Sequence, residues 1–479
     1  MLAVDGLKPL SPIAFTQMED ASVKEWFPTF YHKAILPMLT LTILLSYHAR
    51  PSKAEHPPEE FTKFQMTYLS VWSLCVAADW LQGPYVYALY QAYGFEHYQV
   101  AQLFVAGFAA SLFFSCFVGS VADKIGRKRC CMAYCVFYIL SCATKHFKSY
   151  HILMLGRVTG GIATSLLFSC FECWMVSEHL TRHEFSDSLL SYLFGIKFQV
   201  MYFVAIASGI LAQFASDSFR FAPITKDSLV YVGGNCVPFD LSAFVLVIAF
   251  ILIGLFWEEN YGNPDSSSSS SSIRKIAENV KQAATMMLMD GKTLMLCIIV
   301  SCFEGAMYAF VFSWTPALET SNAAPPFGLV FALFMMACAS GAACSTLVSE
   351  RFDPLRRLAV VFVVSLVMFL VAAKTASVAG WLNLCFLAFM VFEFCVGAYF
   401  PAAGLLKSKL VPEQIRGTMY NLFRVPLNAI VVSLLLSDFD MLTTFGICAS
   451  MLCVGLLATG CMRRDDEPIE TLVDPEKKL

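Results

Sequence analysis

Gly119-Ser-Val-Ala-Asp-Lys-Ile-Gly-Arg-Lys-Arg129 lies between two long apolar segments and has the spacing G-x-x-x-D-[RK]-x-G-R-[RK]-[RK]. A basic stretch in this position favours a short loop on the cytoplasmic side of a membrane. We predict that Gly119 lets two helices pack closely and that Asp123 caps a helix end, where the helix dipole is positive. An ordinary basic loop is the alternative, but it would not need Gly119, Asp123, Gly126 and Arg127 in register.

The composition indicates a membrane protein with several spanning helices. Of the 479 residues, 57% are hydrophobic and only 14% are charged, whereas a soluble domain carries about 25% charged residues. Apolar runs of 20 residues or more predict helices rather than a barrel. The net charge of −3 identifies no partner, and we expect no nucleic acid, metal or cofactor. The pair Cys170 and Cys173 lies within an apolar segment and predicts packed thiols, not a metal site.

Twelve apolar segments follow residue 64, and a shorter run, Ala34–His48, precedes them. The shorter run is a candidate extra membrane helix, a signal-anchor or an amphipathic helix on the bilayer, because its length fits each of these. An uninterrupted serine run, Ser266–Ser272, follows the sixth segment and predicts a flexible linker. The twelve cores are residues 65–90, 98–121, 131–147, 152–177, 189–214, 240–257, 293–316, 326–347, 357–374, 380–405, 417–436 and 441–461.

The linker divides the chain into two groups of six segments. We therefore predict an all-α membrane protein built from two six-helix bundles. The expected units are an N-terminal extension (1–63), a first half (64–258), a cytoplasmic linker (259–291), a second half (292–462) and a cytoplasmic tail (463–479). With the linker inside, most loop cations lie inside as well, which agrees with the positive-inside rule. The outside loops hold only Lys145, Lys148, Arg220, Lys226 and Lys374.

Four carboxylates lie within apolar segments at ordered positions. Asp79, Glu172, Glu304 and Glu393 occupy the first, fourth, seventh and tenth segments. A charge at the centre of a membrane helix costs about 2.5–3.5 kcal/mol on insertion scales. Each acid taken alone is explained equally well as a structural group bonded to a neighbouring helix. For the four together we favour a role in lining a cavity, with proton coupling as a hypothesis.

Three cations also lie within or at the start of apolar segments. Lys197 and Arg424 lie at similar depths in the fifth and eleventh segments, and Arg157 begins the fourth. The guanidinium fork of an arginine binds a tetrahedral oxyanion through parallel charge-assisted hydrogen bonds. Arg424 is therefore a candidate anion ligand, and the alternative is that it neutralises Glu304 or Glu393.

Several short motifs resemble a known group of transporters. The basic loop resembles the loop between the second and third helices of the major facilitator superfamily, and further motifs resemble the molybdate-anion transporter family. These motifs are Ala78–Tyr85, Gly156–Arg157, Gly160–Gly161, Phe171–Trp174, Glu178–His179, Trp257–Tyr261, Phe303–Glu304, Trp314–Pro316, Tyr399–Pro401 and Phe423–Pro426. The resemblance implies a multi-pass protein of the cell membrane that takes up molybdate, with the four acidic helices around a central cavity.

Alternating access of two halves around a site near the bilayer midplane is the implied mechanism. We expect Arg424, with Lys197, to attract the dianion, and Asn421 and Tyr399 to add neutral donors. Unpaired carboxylates would repel molybdate, so the four acids should be paired or protonated, which leads to the hypothesis of a proton-coupled cycle. The Gly119–Arg129 loop and Arg157 are assigned to conformational change. Molybdate, the bilayer and a proton are the expected partners of a monomer.

Two other classes of function remain open. The solute could be sulfate, an organic anion or a sugar, because sulfate shares the shape and charge of molybdate. A sensor of the same fold that does not transport is the second alternative. An enzyme is not expected, since the sequence contains no nucleotide-binding loop, metal-ligand spacing or nucleophile triad.

Overall fold

The computed structural model describes residues 30–50, 57–261, 281–282, 284–319, 325–376, 378–411, 416–437 and 439–464. It is a helical bundle with one short hairpin, in which Ala222–Pro223 pairs antiparallel with Tyr231–Val232. The first eight helices are α1 (Phe30–His48), α2 (Glu59–Gln82), α3 (Val86–Ala92), α4 (His97–Ile125), α5 (Arg127–Thr144), α6 (Tyr150–Ser177), α7 (Asp187–Ser218) and α8 (Val237–Phe256). The next six are α9 (Gly291–Leu318), α10 (Phe327–Leu347), α11 (Pro354–Thr375), α12 (Leu382–Leu410), α13 (Arg416–Leu436) and α14 (Met441–Arg464).

The helices coincide with the twelve predicted apolar segments, which confirms the all-α membrane class. The first segment is interrupted by a 3-10 turn at Gly83–Tyr85, where Pro84 begins the turn between α2 and α3. Among the described residues, nine helices are long and apolar enough to cross a membrane. The serine run Ser266–Ser272, residues 1–29 and the tail beyond residue 464 lie outside the described part. The predicted unit boundaries therefore stay predictions.

Helix α1 covers the predicted Ala34–His48 run and packs on the second half of the chain. The Thr42 hydroxyl is fully buried, donates to the Met336 carbonyl at 3.0 Å and lies 3.0 Å from Ser340 Oγ in α10. Tyr31 packs edge-on against Phe386 of α12 at 4.9 Å. A buried hydroxyl needs such partners because an unbonded polar group in an apolar environment is costly.

The two halves meet closely at the end of the bundle opposite the Gly119–Arg129 loop, here called the distal end. Gly209 of α7 and Gly328 of α10 face each other so closely that a Cβ on Gly209 would lie 2.7 Å from the Gly328 carbonyl oxygen. Gln213 accepts the Gly328 N–H at 3.0 Å and the Tyr85 hydroxyl at 3.1 Å. Gln91 donates to Glu319 at 2.9 Å. These contacts close the distal end of the interface between the halves.

Candidate functional site

The basic loop connects α4 to α5 through Gly126, whose φ of +111° favours glycine. A Cβ at this position would also lie 2.4 Å from the Glu259 carboxyl carbon. Glu259 follows α8 and accepts the backbone N–H groups of Lys128 at 2.8 Å and Arg129 at 3.3 Å. The carboxylate thus satisfies free donors in the first turn of α5, where the helix dipole is positive.

Two predictions about this loop are wrong. Asp123 does not cap a helix N-terminus; its Oδ1 accepts from Arg127 Nη2 at 2.8 Å, because Glu259 already occupies the start of α5. Gly119 does not mediate close packing, since a Cβ there would meet no atom within 4 Å. The close helix contact lies nearer the start of α4, where a Cβ on Gly161 of α6 would lie 2.5 Å from the Gly107 carbonyl oxygen.

The segment after α8 also holds the end of α6. The Trp174 and Trp257 rings stack at 3.7 Å, and Trp174 Nε1 donates to the Glu258 carbonyl at 2.9 Å. Asn260 donates to Glu178 at 2.9 Å, and Arg182 pairs with both Glu178 and Glu258. The start of α5 and the ends of α6 and α8 are therefore held together as one unit.

Removing the Glu259 carboxylate is expected to destabilise this unit. Glu259→Ala leaves two N–H groups of α5 without an acceptor, and the loss of a helix cap costs about 1 kcal/mol. We expect a lower Tm of the purified protein in detergent. The neighbouring Glu258→Ala removes an exposed ion pair, which contributes about 0–1 kcal/mol, and serves as the control. Equal losses in the two variants would contradict the capping role.

In the first half, the predicted polar residues form two separate contacts. Asp79 accepts a hydrogen bond from the Tyr138 hydroxyl of α5. Glu172 of α6 pairs with Lys197 of α7 at 2.8 Å. The Lys197 side chain is 4% exposed and lies over the Trp72 ring at 4.5 Å, whereas the Glu172 side chain is 45% exposed. Lys197 is thus paired with a carboxylate in this structure, and its assignment as an anion ligand stays a prediction.

Arg157 lies between α6 and α4. Its Nε donates to the Leu103 carbonyl at 3.0 Å, and its guanidinium lies 4.8 Å from the centre of the Phe104 ring. Phe104 in turn packs against Phe312 of α9 at 5.3 Å. Arg157 therefore supports an aromatic contact between the halves, and its assignment to conformational change stays a prediction.

In the second half, Glu304 is paired with a lysine that lies just beyond the predicted apolar core 380–405. Lys407 of α12 lies 2.9 Å from Glu304 Oε1, and the Tyr399 hydroxyl donates to the same oxygen at 3.2 Å. The Tyr399 ring stacks on Phe303 at 4.1 Å. Lys407 was missed because it lies near the end of a helix, where a long side chain can still reach inward.

Arg424 forms no hydrogen bond through its side chain, and no ion pair, with any residue in the described ranges. The alternative that it neutralises Glu304 or Glu393 is therefore wrong for this structure. The residue is exposed, and it lies within electrostatic range of Tyr308, which is also within range of Glu304. The side chain of Asn421, a predicted neutral donor, lies outside the described part of the structure.

Glu393 differs from the other three acids. It is 6% exposed, and no described residue forms a hydrogen bond or ion pair with its carboxylate. Tyr202 of α7 and Cys338 of α10 lie within electrostatic range. The carboxylate is therefore buried where the two halves meet, without a cation to compensate its charge.

Comparisons with known proteins identify the family. A family model described as sugar transporters with 12 transmembrane helices matches residues 30–387. The molybdate-anion transporter of Xenopus laevis is 33% identical over 92% of this chain and 97% of its own length. That of Xenopus tropicalis is 32% identical over 88% and 91% of the two chains.

The fold has solved counterparts. The structure of an auto-inhibited peptide transporter of the POT family aligns with a TM-score of 0.66 at 12% identity, over 87% of this chain and 99% of that one. At this identity the match shows the fold alone. The relatives and the fold are those of multi-pass membrane transporters rather than enzymes. The chain belongs to the molybdate-anion transporter family, within the major facilitator superfamily.

Proposed function

We propose that this chain takes up molybdate into the cell by alternating access, with Arg424 as the principal anion ligand. The names of its relatives support molybdate. The observation that carries the assignment of the ligand is a difference among three cations. Lys197 and Lys407 are each paired with a carboxylate, at 2.8 and 2.9 Å, whereas Arg424 is exposed and has no carboxylate partner among the described residues.

The ion pairs limit how much positive charge a dianion meets. Arg424 supplies one charge that no described carboxylate compensates. Tyr399, which donates to Glu304, and Tyr308, which lies within electrostatic range of Glu304 and Arg424, are candidate hydroxyl donors. Glu393 carries a buried negative charge without a cationic partner among the described residues, so its protonation removes a charge that would repel the dianion. Protonation of an acid would in this way strengthen anion binding, which supports a proton-coupled cycle.

The proposal places the basic loop in the cytoplasm and the distal end outside, in the plasma membrane. The positive-inside pattern supports this orientation. The contacts of Gly328 with Gly209 and Gln213 then close the outer side, so the structure would represent a form closed to the exterior. We infer a monomer, because each half of the chain contributes to the same central region.

Competition separates the candidate solutes. The family description names sugars, but an unpaired arginine favours an oxyanion, since it provides charge-assisted hydrogen bonds. Liposomes that contain the purified protein should accumulate labelled molybdate. A tenfold excess of unlabelled molybdate should suppress the uptake, and a similar excess of glucose should not. Suppression by sulfate would widen the substrate class to tetrahedral oxyanions, whereas suppression by glucose alone would contradict the proposal.

A further inference from the structure

A buried lysine near the distal end of the first half has no hydrogen-bond partner for its ammonium among the described residues. Lys145 directly follows α5 and is 1% exposed. Its Nζ forms no hydrogen bond with the described residues. The hydroxyl of Tyr90, a fully buried residue of α3, also lacks a partner in the described part of the chain. The Lys145 Nζ lies 5.7 Å from the centre of the Tyr90 ring. The lysine ammonium thus lies over the Tyr90 ring, and each of the two side chains carries a hydrogen-bond donor without a described acceptor.

Hydrogen bonds fix the backbone around Lys145. A loosely packed loop therefore does not explain why its side chain is buried. The Tyr93 hydroxyl donates to the Lys145 carbonyl at 2.6 Å. The next residue, His146, accepts the Tyr231 N–H through its carbonyl at 2.7 Å. Lys148 N–H donates to the Leu229 carbonyl at 2.7 Å. These bonds fix the loop between α5 and α6 on both sides of the lysine.

The acid that bonds this loop from α8 already has a cationic partner. Asp240 of α8 bonds His146 Nε2 at 2.8 Å, and this bond raises the pKa of His146 to about 10. His146 is therefore a cation at neutral pH and holds the Asp240 charge. The packing also makes room for the lysine, because a Cβ on Gly156 would lie 1.8 Å from Thr144 Oγ1 and 3.3 Å from Lys145 Nζ.

We propose that Lys145 and Tyr90 form a second anion site, which takes a small inorganic anion. An ammonium and a phenol hydroxyl supply donors, and a buried charge without a counter-ion is costly, so an anion would satisfy both groups. Tyr90 packs on Phe104, and Phe104 packs on Phe312 of the second half. One layer of aromatic rings therefore separates this site from the interface between the halves.

Two anions share the required chemistry: the transported oxyanion on its way inward, and chloride. The alternative in which the site binds the transported oxyanion rests on the proposed function, whereas the alternative in which it binds chloride does not. Equilibrium dialysis of the purified full-length protein with labelled molybdate, in chloride-free gluconate buffer, tests the first. The Tm of the same protein in chloride against gluconate tests the second.

Four variants make both measurements decisive. Lys145→Met and Tyr90→Phe remove one donor group each. Folding should persist in Lys145→Met, because replacing a buried charge by an apolar side chain is often neutral or stabilising. Lys145→Arg keeps the charge and should rescue binding. Lys148→Met changes an exposed lysine of the same loop and should behave like the unmodified chain.

If the site binds the oxyanion, the Lys145→Met and Tyr90→Phe variants should bind one molybdate fewer per chain. The Arg424→Ala variant should keep this site and lose the central one. If the site binds chloride, molybdate binding should stay unchanged, but the rise in Tm with chloride should disappear in Lys145→Met and Tyr90→Phe. If neither measurement changes in Lys145→Met or Tyr90→Phe, the second site does not exist. A loss in Arg424→Ala alone would leave the proposed function standing.

Discussion

Cells that express the Arg424→Ala variant are expected to accumulate no more molybdenum than cells without the transporter. The guanidinium is exposed and has no carboxylate partner in the described part of the structure, so its removal takes away the proposed central ligand of the dianion and leaves there the two described lysines, each of which is paired with a carboxylate. A hydrogen bond to a charged group contributes about 1.5–3 kcal/mol, and the upper value corresponds to a loss of more than about a hundredfold. Elemental analysis of washed cells, normalised to the amount of protein at the surface, measures the effect.

Two controls accompany this variant. Arg424→Lys keeps the charge but loses the planar fork, so we expect uptake between that of Arg424→Ala and that of the unmodified chain. Arg351→Ala removes an exposed cation between α10 and α11 and should leave accumulation unchanged. Normal accumulation by Arg424→Ala would remove the arginine from the anion site and would leave the paired lysines as the remaining candidates.

The second large effect is expected at Glu393. In proton-coupled uptake, acidification outside raises the rate by up to about tenfold per unit of pH, the limit for one essential proton. Glu393 is buried between the halves without a cationic partner among the described residues, so its charge is the least compensated of the four acids. Glu393→Gln should therefore flatten the pH dependence of molybdate uptake into liposomes, measured as initial rates between pH 5.5 and 8.

The other acids provide matched comparisons. Asp79→Asn, Glu172→Gln and Glu304→Gln change carboxylates that have described partners, namely Tyr138, Lys197 and Lys407. We expect these variants to alter the rate but to retain a dependence on pH. A flat profile in Glu304→Gln, with a normal profile in Glu393→Gln, would move the proton site to Glu304. Unchanged profiles in all four variants would exclude coupling through these residues.

Most of the fold could be predicted from sequence because the signal is local. A helix that crosses a bilayer needs about 20 apolar residues in succession, and each of the twelve predicted segments contains a described helix. The positions of Asp79, Glu172, Glu304 and Glu393 were equally visible, since a charge within an apolar segment is conspicuous. The motifs of the basic loop identified the superfamily for the same reason.

Only the tertiary structure decided which charges are paired. Lys197, a predicted anion ligand, is paired with Glu172, and Lys407, which lies beyond the predicted core 380–405, reaches Glu304. The cap of α5 comes from Glu259, about 130 residues away along the chain. Such contacts depend on how helices distant in sequence pack and on how far long side chains reach. Hydropathy along the chain does not contain that information, so the sequence determined where charges lie and the packing determined which of them remain free.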